Sequence, residues 1–161
     1  MQARGTAPTI NRWWIVAGGI LIQLCLGAIY AWSAFTGALT DDPFGFSRTE
    51  TQIIFAVGLA SFAGVMALIA GRWQRRSGPR VVSLTGGLVL GAGYLVAGFS
   101  GTSFWGILLG VGLLGGAGIG LAYVCPIAAL VKWFPDKKGL ITGLAGAGFG
   151  FGALIWIKLT E

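Results

Sequence analysis

The chain has 161 residues, of which 55% are hydrophobic and only 10% charged, with 29 glycines and a formal net charge of +6. A soluble domain carries roughly a quarter of charged residues, so this composition excludes an ordinary soluble enzyme, and the lack of a Gly-X-Y period excludes a collagen-like rod. The positive charge does not mark a nucleic-acid binder, because it is confined to short segments between long uncharged stretches.

Residues 1–12 are polar and read as a cytoplasmic tail. Between Arg12 and Asp41 lie 28 uncharged residues, predicting a membrane helix over about 13–36, since about 20 apolar residues cross the hydrocarbon core. Trp13 and Trp14 open it and suit the interfacial aromatic belt. A cleaved signal peptide fits poorly, because the stretch is too long and further apolar segments follow at once. Within it, Gln23, Gly27, Tyr30 and Ala34 are spaced to share one helix face. Amide and phenol groups are costly in lipid, so that face points into a bundle. There Gln23 and Tyr30 can donate to a carboxylate, or serve only as interhelical hydrogen-bonding groups. Trp32 reads equally as a cavity wall or a packing residue.

The segment Ser47-Arg48-Thr49-Glu50 has capping-box spacing and starts a second helix, about 51–70. A short basic turn rich in arginine leads to a third, about 81–99. From Val81 to Val131 there are 51 uncharged residues, enough for two crossings, divided at Ser100-Gly101-Thr102-Ser103. The fourth helix, about 104–131, is long, and Pro126 predicts a kink or tilt. Gly112, Gly116, Gly120 and Tyr123 form a stripe along it. The link Phe134–Gly139 is a turn, and a fifth helix over about 139–157 carries Gly146, Gly148, Gly150 and Gly152, two Gly-x-x-x-Gly pairs that license close contact. The fold class is therefore an all-α membrane protein of five transmembrane helices in one partial bundle, 13–157, and residues 158–161 read as a truncated end. An odd helix count with no closing partner reads as a fragment.

If the helices alternate, nine basic residues fall on one side and only Arg48 and Lys158 on the other. The excess of Lys and Arg on cytoplasmic loops places the N-terminus in the cytoplasm. No histidine is present, Cys25 and Cys125 lie within helices, and no acidic cluster occurs; no cofactor or metal site and no catalytic residue is expected.

Gly71-Arg72-Trp73-Gln74-Arg75-Arg76-Ser77-Gly78-Pro79-Arg80 resembles the signature between helices 2 and 3 of the major facilitator superfamily, matching at Gly71, Arg76, Gly78 and Arg80. In the family an acid in this loop helps latch one conformation; here Arg75 takes its place and residues 71–80 contain no acid. A basic loop serving orientation alone explains the same residues. Ala28-Ile29-Tyr30-Ala31-Trp32-Ser33, Gly118–Pro126, Lys132–Leu140, Thr142–Leu144 and Gly148–Gly152 together resemble the oxalate/formate antiporter branch. The resemblance runs over about 12–157 and matches the first five of twelve helices. It implies a transporter, not an enzyme, in a bacterial inner membrane, moving small carboxylates such as oxalate, formate or lactate by alternating access. Gln23, Tyr30, Trp32 and Tyr123 would line half of a midplane site, and Gly71, Arg76, Gly78 and Arg80 would form the conformational loop. The substrate's basic partner would come from the missing C-terminal half, since no helix here carries an internal cation. The alternative is a small membrane scaffold whose glycine faces bind partner helices.

Overall fold

The structure is a computed structural model that describes residues 12–160, and every regular element among them is helical. Helix α1, Arg12–Leu26, continues through a 3₁₀ segment, Gly27–Ala31, into α2, Trp32–Thr40. Helix α3, Arg48–Val65, passes through a π segment, Met66–Ala70, into α4, Gly71–Phe99. Helix α5, Phe104–Ile107, leads through a second π segment, Leu108–Gly115, into α6, Gly116–Trp133. A 3₁₀ turn, Pro135–Lys137, precedes α7, Lys138–Thr160. Four helical runs are long and apolar enough to cross a membrane: Trp13–Thr40, Arg48–Phe99, Phe104–Trp133 and Pro135–Leu159.

The second run has 52 residues, which as a straight helix would be roughly 78 Å long at 1.5 Å per residue, against a hydrocarbon core of about 30 Å. It breaks at Gly78, where φ is 80° and ψ 162°, immediately before Pro79. Only glycine adopts such a backbone without steric cost. The chain reverses there, as packing against α6 shows. A Cβ on Gly120 would lie 2.7 Å from the Phe62 carbonyl, and one on Gly116 would strike the Gly58 carbonyl, so α3 runs parallel to α6. A Cβ on Gly118 would lie 2.7 Å from the Gly86 carbonyl, and one on Gly110, in the π segment leading into α6, 2.5 Å from the Gly93 carbonyl, so the later part of α4 runs antiparallel to this run. Two segments opposed along one helix are opposed to each other.

Helix α6 forms the centre. Nine of its 18 residues are buried, against three of 29 in α4. The outer face of α4 carries Leu84, Leu88, Leu95 and Phe99, with Leu88 75% and Phe99 89% exposed. Such a stripe is a liability in water and the normal condition in lipid. Hydroxyls within the helices are satisfied locally: Thr85 and Thr142 donate to the carbonyls of Val81 and Lys138, while Ser61 crosses to the Leu113 carbonyl at 2.8 Å. Without water, a polar group has to find such a partner inside the fold.

The expected capping box is formed. The Glu50 amide donates to Ser47 Oγ at 3.2 Å, and the Ser47 amide donates to Glu50 Oε2 at 2.8 Å. The backbone amide and hydroxyl of Ser47 hold the Glu50 carboxyl below its ordinary value at this water-exposed helix start.

Within the first and third runs, two stretches depart from regular α geometry. Helix α6 runs on through Pro126 to Trp133, and the departure from α geometry lies earlier, at Leu108–Gly115. That segment contains Gly110, Gly112 and Gly115, whose small size admits a wider turn against its neighbours. Residues 13–36 are not one uniform helix either, because Gly27–Ala31 tightens to 3₁₀. At that level Gly27 is pressed against α7: a Cβ on Gly152 would lie 3.0 Å from the Gly27 Cα. Of the α7 glycines, Gly148 and Gly152 face α1, while Gly146 and Gly150 meet nothing within 4 Å.

Candidate substrate-binding face

The close approach of α1 to α7 brings Tyr30 onto Phe149. Their rings stand edge to face, 5.2 Å apart at 71°. Tyr123, from α6, meets the same Phe149 at 4.9 Å and 67°, and Phe62 of α3 at 5.4 Å and 79°. Phe62 and Phe149 are themselves 6.0 Å apart. Four helical runs thus each contribute one ring, and each edge-to-face pair adds about 0.5–1.5 kcal/mol beyond its burial. These contacts fix where the two phenol hydroxyls stand. Among the described residues, neither hydroxyl makes a hydrogen bond to protein. Tyr30 remains 46% exposed. The arrangement offers two unspent donors on one partly open face.

Gln23 is separate. It precedes Tyr30 by seven residues, roughly 10 Å along a helix, and is fully buried. Its Cβ lies near α7, 3.5 Å from where a Cβ on Gly148 would be. Neither its amide nitrogen nor its oxygen has a hydrogen-bond partner. Leaving a buried polar group unpaired costs about 1–3 kcal/mol, so this amide is a place where a polar partner would be stabilising.

Trp32 faces another way. Its indole N–H donates to the Thr51 carbonyl at 3.1 Å, and its ring stacks on Phe55 at 6.5 Å and 14°. It also lines a cavity of about 1030 Å³ between the α1–α2 run and α4, walled by Ile29, Leu90, Tyr94 and Ile119. That wall is overwhelmingly hydrocarbon, and an organic anion there would lose hydration with little in return. The donor of Trp32 is spent on the fold, and its ring both packs on Phe55 and lines the cavity.

In the basic turn, Gly78 is required by its positive φ, whereas nothing lies within 4 Å of a Cβ built at Gly71. Arg76 and Arg80 are exposed. Sequence reasoning missed Phe149 and Phe62. Phe149 was legible as the one large residue between Gly148 and Gly150, and Phe62 as lying one turn after Gly58 on the face that meets α6. No group of three or more His, Cys, Asp or Glu that could hold a metal occurs among the described residues.

The sequence profile described as Major Facilitator Superfamily matches residues 20–156. An uncharacterized MFS-type transporter, YhjX, of Escherichia coli (strain K12) is 35% identical over 145 residues, covering 89% of this chain and 35% of that protein. The oxalate:formate antiporter of Oxalobacter formigenes is 30% identical over 150 residues, covering 92% and 35%. Monocarboxylate transporter 13 of Rattus norvegicus is 37% identical over 161 residues, covering 97% and 36%. The chain spans about a third of the length of these curated relatives.

Proposed function

Because the chain belongs to the Major Facilitator Superfamily, whose members are transporters and not enzymes, we propose that it forms part of a secondary transporter for small organic anions such as oxalate, formate or lactate. The observation that carries this reading is the pair of unspent hydroxyls, Tyr30 and Tyr123, held together on Phe149. A carboxylate accepts two such donors readily, and hydrogen bonds to a charged acceptor are the strong ones. Two relatives, named for oxalate and formate and for monocarboxylates, favour the same substrate class.

The chemistry is incomplete within 161 residues. Two hydroxyls do not offset the desolvation of an anion, and the only basic residues lie outside the apolar stretches. The counter-charge is assigned to a complementary half of the transporter, against which this bundle rocks about a site at the midplane. Gln23, buried roughly 10 Å along the helix from Tyr30, is a separate polar contact that becomes available only when the bundle rearranges, and Trp32 supports the wall as a packing residue. Joined to the part of the oxalate:formate antiporter that it does not match, the chain is expected to give saturable exchange of labelled oxalate, formate or lactate in proteoliposomes. A correctly inserted hybrid that exchanges none of the three would overturn the carboxylate reading.

The proposed topology has five crossings, with the break at Gly78 on the cytoplasmic side of a bacterial inner membrane. Nine basic residues against two support it through the cytoplasmic bias of Lys and Arg. With Cys25 and Cys125 replaced by alanine, Ser77→Cys is expected to be shielded from an impermeant thiol reagent in intact cells. Thr102→Cys is expected to be labelled. The reverse pattern would invert the orientation.

A further inference from the structure

We propose that the turn at residues 71–80 is a binding site for the phosphate of an anionic phospholipid headgroup. It does not depend on the carboxylate site, which lies in the aromatic cluster away from this turn.

The case begins with charge that has no protein partner. Arg72, Arg75, Arg76 and Arg80 are all exposed within nine residues, and no acid occurs between 71 and 80. Arg72 spends one N–H on the Leu68 carbonyl at 2.7 Å, which satisfies a backbone acceptor and fixes where its guanidinium stands. Arg75, Arg76 and Arg80 make no ion pair or hydrogen bond among the described residues. Arg72, Arg75 and Arg76 follow the i, i+3, i+4 spacing on the helical start of α4, so they share one face. Like charges at that spacing destabilise a helix, and a shared anion removes the penalty.

The turn is also held in place. Trp73 packs against the buried cluster of Ala70, Val82, Leu121 and Cys125, so the backbone between the arginines is tied to the end of the apolar bundle. The positive φ at Gly78, followed by Pro79, sets the position of Arg80 relative to the other three. Guanidinium groups therefore project where hydrocarbon gives way to headgroups, the level at which tryptophan characteristically sits.

Residue type points to phosphate. Orientation in the membrane needs only positive charge, and the link from α6 to α7 supplies it with lysines alone: Lys132, Lys137 and Lys138. The turn uses only arginine. The planar fork of arginine matches two oxygens of a phosphate at once, whereas lysine acts as a point charge. Clusters of four or more basic residues beside a membrane helix attract anionic lipid by an amount that grows with each charge.

The test uses the 161-residue chain in mixed micelles of phosphatidylcholine and phosphatidylglycerol, with retained lipid read by native mass spectrometry. The parent is expected to enrich phosphatidylglycerol over phosphatidylcholine. Removing two of the charges, in Arg75→Gln/Arg76→Gln, is expected to reduce that enrichment about tenfold. The control Lys137→Gln/Lys138→Gln removes the same charge and is expected to change it less than about twofold, with circular dichroism confirming equal helicity in all three. Equal losses in both double variants would reduce the effect to general surface charge and overturn the site. Failure of the parent to prefer the anionic lipid would do the same. Added inorganic phosphate is expected to leave phosphatidylglycerol bound; displacement would assign the turn to a free anion instead.

Discussion

Gly118→Ala is expected to destabilise the bundle by about 1–3 kcal/mol, the usual cost of overpacking a filled interior, while Gly87→Ala is neutral or slightly stabilising. A Cβ at Gly118 would lie 2.5 Å from the Leu90 amide nitrogen and 2.7 Å from the Gly86 carbonyl oxygen. Both are backbone atoms, so no rotamer change relieves the clash. Helix α4 has to move away from α6 as a unit, which loosens the contacts at Gly86–Ala122 and Gly93–Gly110 on the same seam. At Gly87, nothing lies within 4 Å of the added methyl, and alanine is the better helix former by up to about 1 kcal/mol. Thermal unfolding of both variants in detergent, followed by circular dichroism, separates these outcomes. Equal midpoints would show that α4 and α6 are not in direct backbone contact.

Tyr30→Phe and Tyr123→Phe are each expected to weaken carboxylate binding by the completed transporter about five- to hundredfold. Losing a hydrogen bond to a charged group costs roughly 1–3 kcal/mol, and about 1.4 kcal/mol is tenfold in affinity. The substitution keeps the ring, so the edge-to-face contacts with Phe149 survive and the helices stay in register. Insertion and helicity are expected to be unchanged. Phe149→Ala gives a contrasting signature: both tyrosine rings lose their shared support, so stability and binding fall together. Wild-type affinity for oxalate, formate and lactate in both tyrosine variants would make the phenols packing groups.

The membrane class was legible because lipid imposes a length rule that charge spacing reports directly; the four long apolar runs follow the uncharged stretches. The reversal at Gly78 was legible too, since a glycine and a proline side by side in a basic segment leave few other conformations. Local helix geometry was not. Pro126 predicts a kink or tilt and sits within a continuous α6, while the wide turn at Leu108–Gly115, where several glycines together tolerate it, has no single residue to announce it. Spacing placed Gln23, Tyr30 and Trp32 on α1 and its continuation, but not which neighbours they would meet. Trp32 found the Thr51 carbonyl and Tyr30 found Phe149, partners 19 and 119 residues away that no local pattern encodes. The two tyrosines became a pair only because Phe149, from a third helix, stands between them.

The absence of formal charge along these helices also has an electrical meaning. Moving one elementary charge through a membrane potential of 100 mV changes its energy by about 2.3 kcal/mol. Between Val81 and Val131, as between Trp13 and Thr40, there is no charge to move, and the arginines of the turn sit at the bundle's end. Rocking of these helices within a completed transporter would therefore shift no fixed side-chain charge across the field. Any current the completed protein carries, and any dependence of its rate on voltage, would report the substrate, any coupled ion and the rest of the protein.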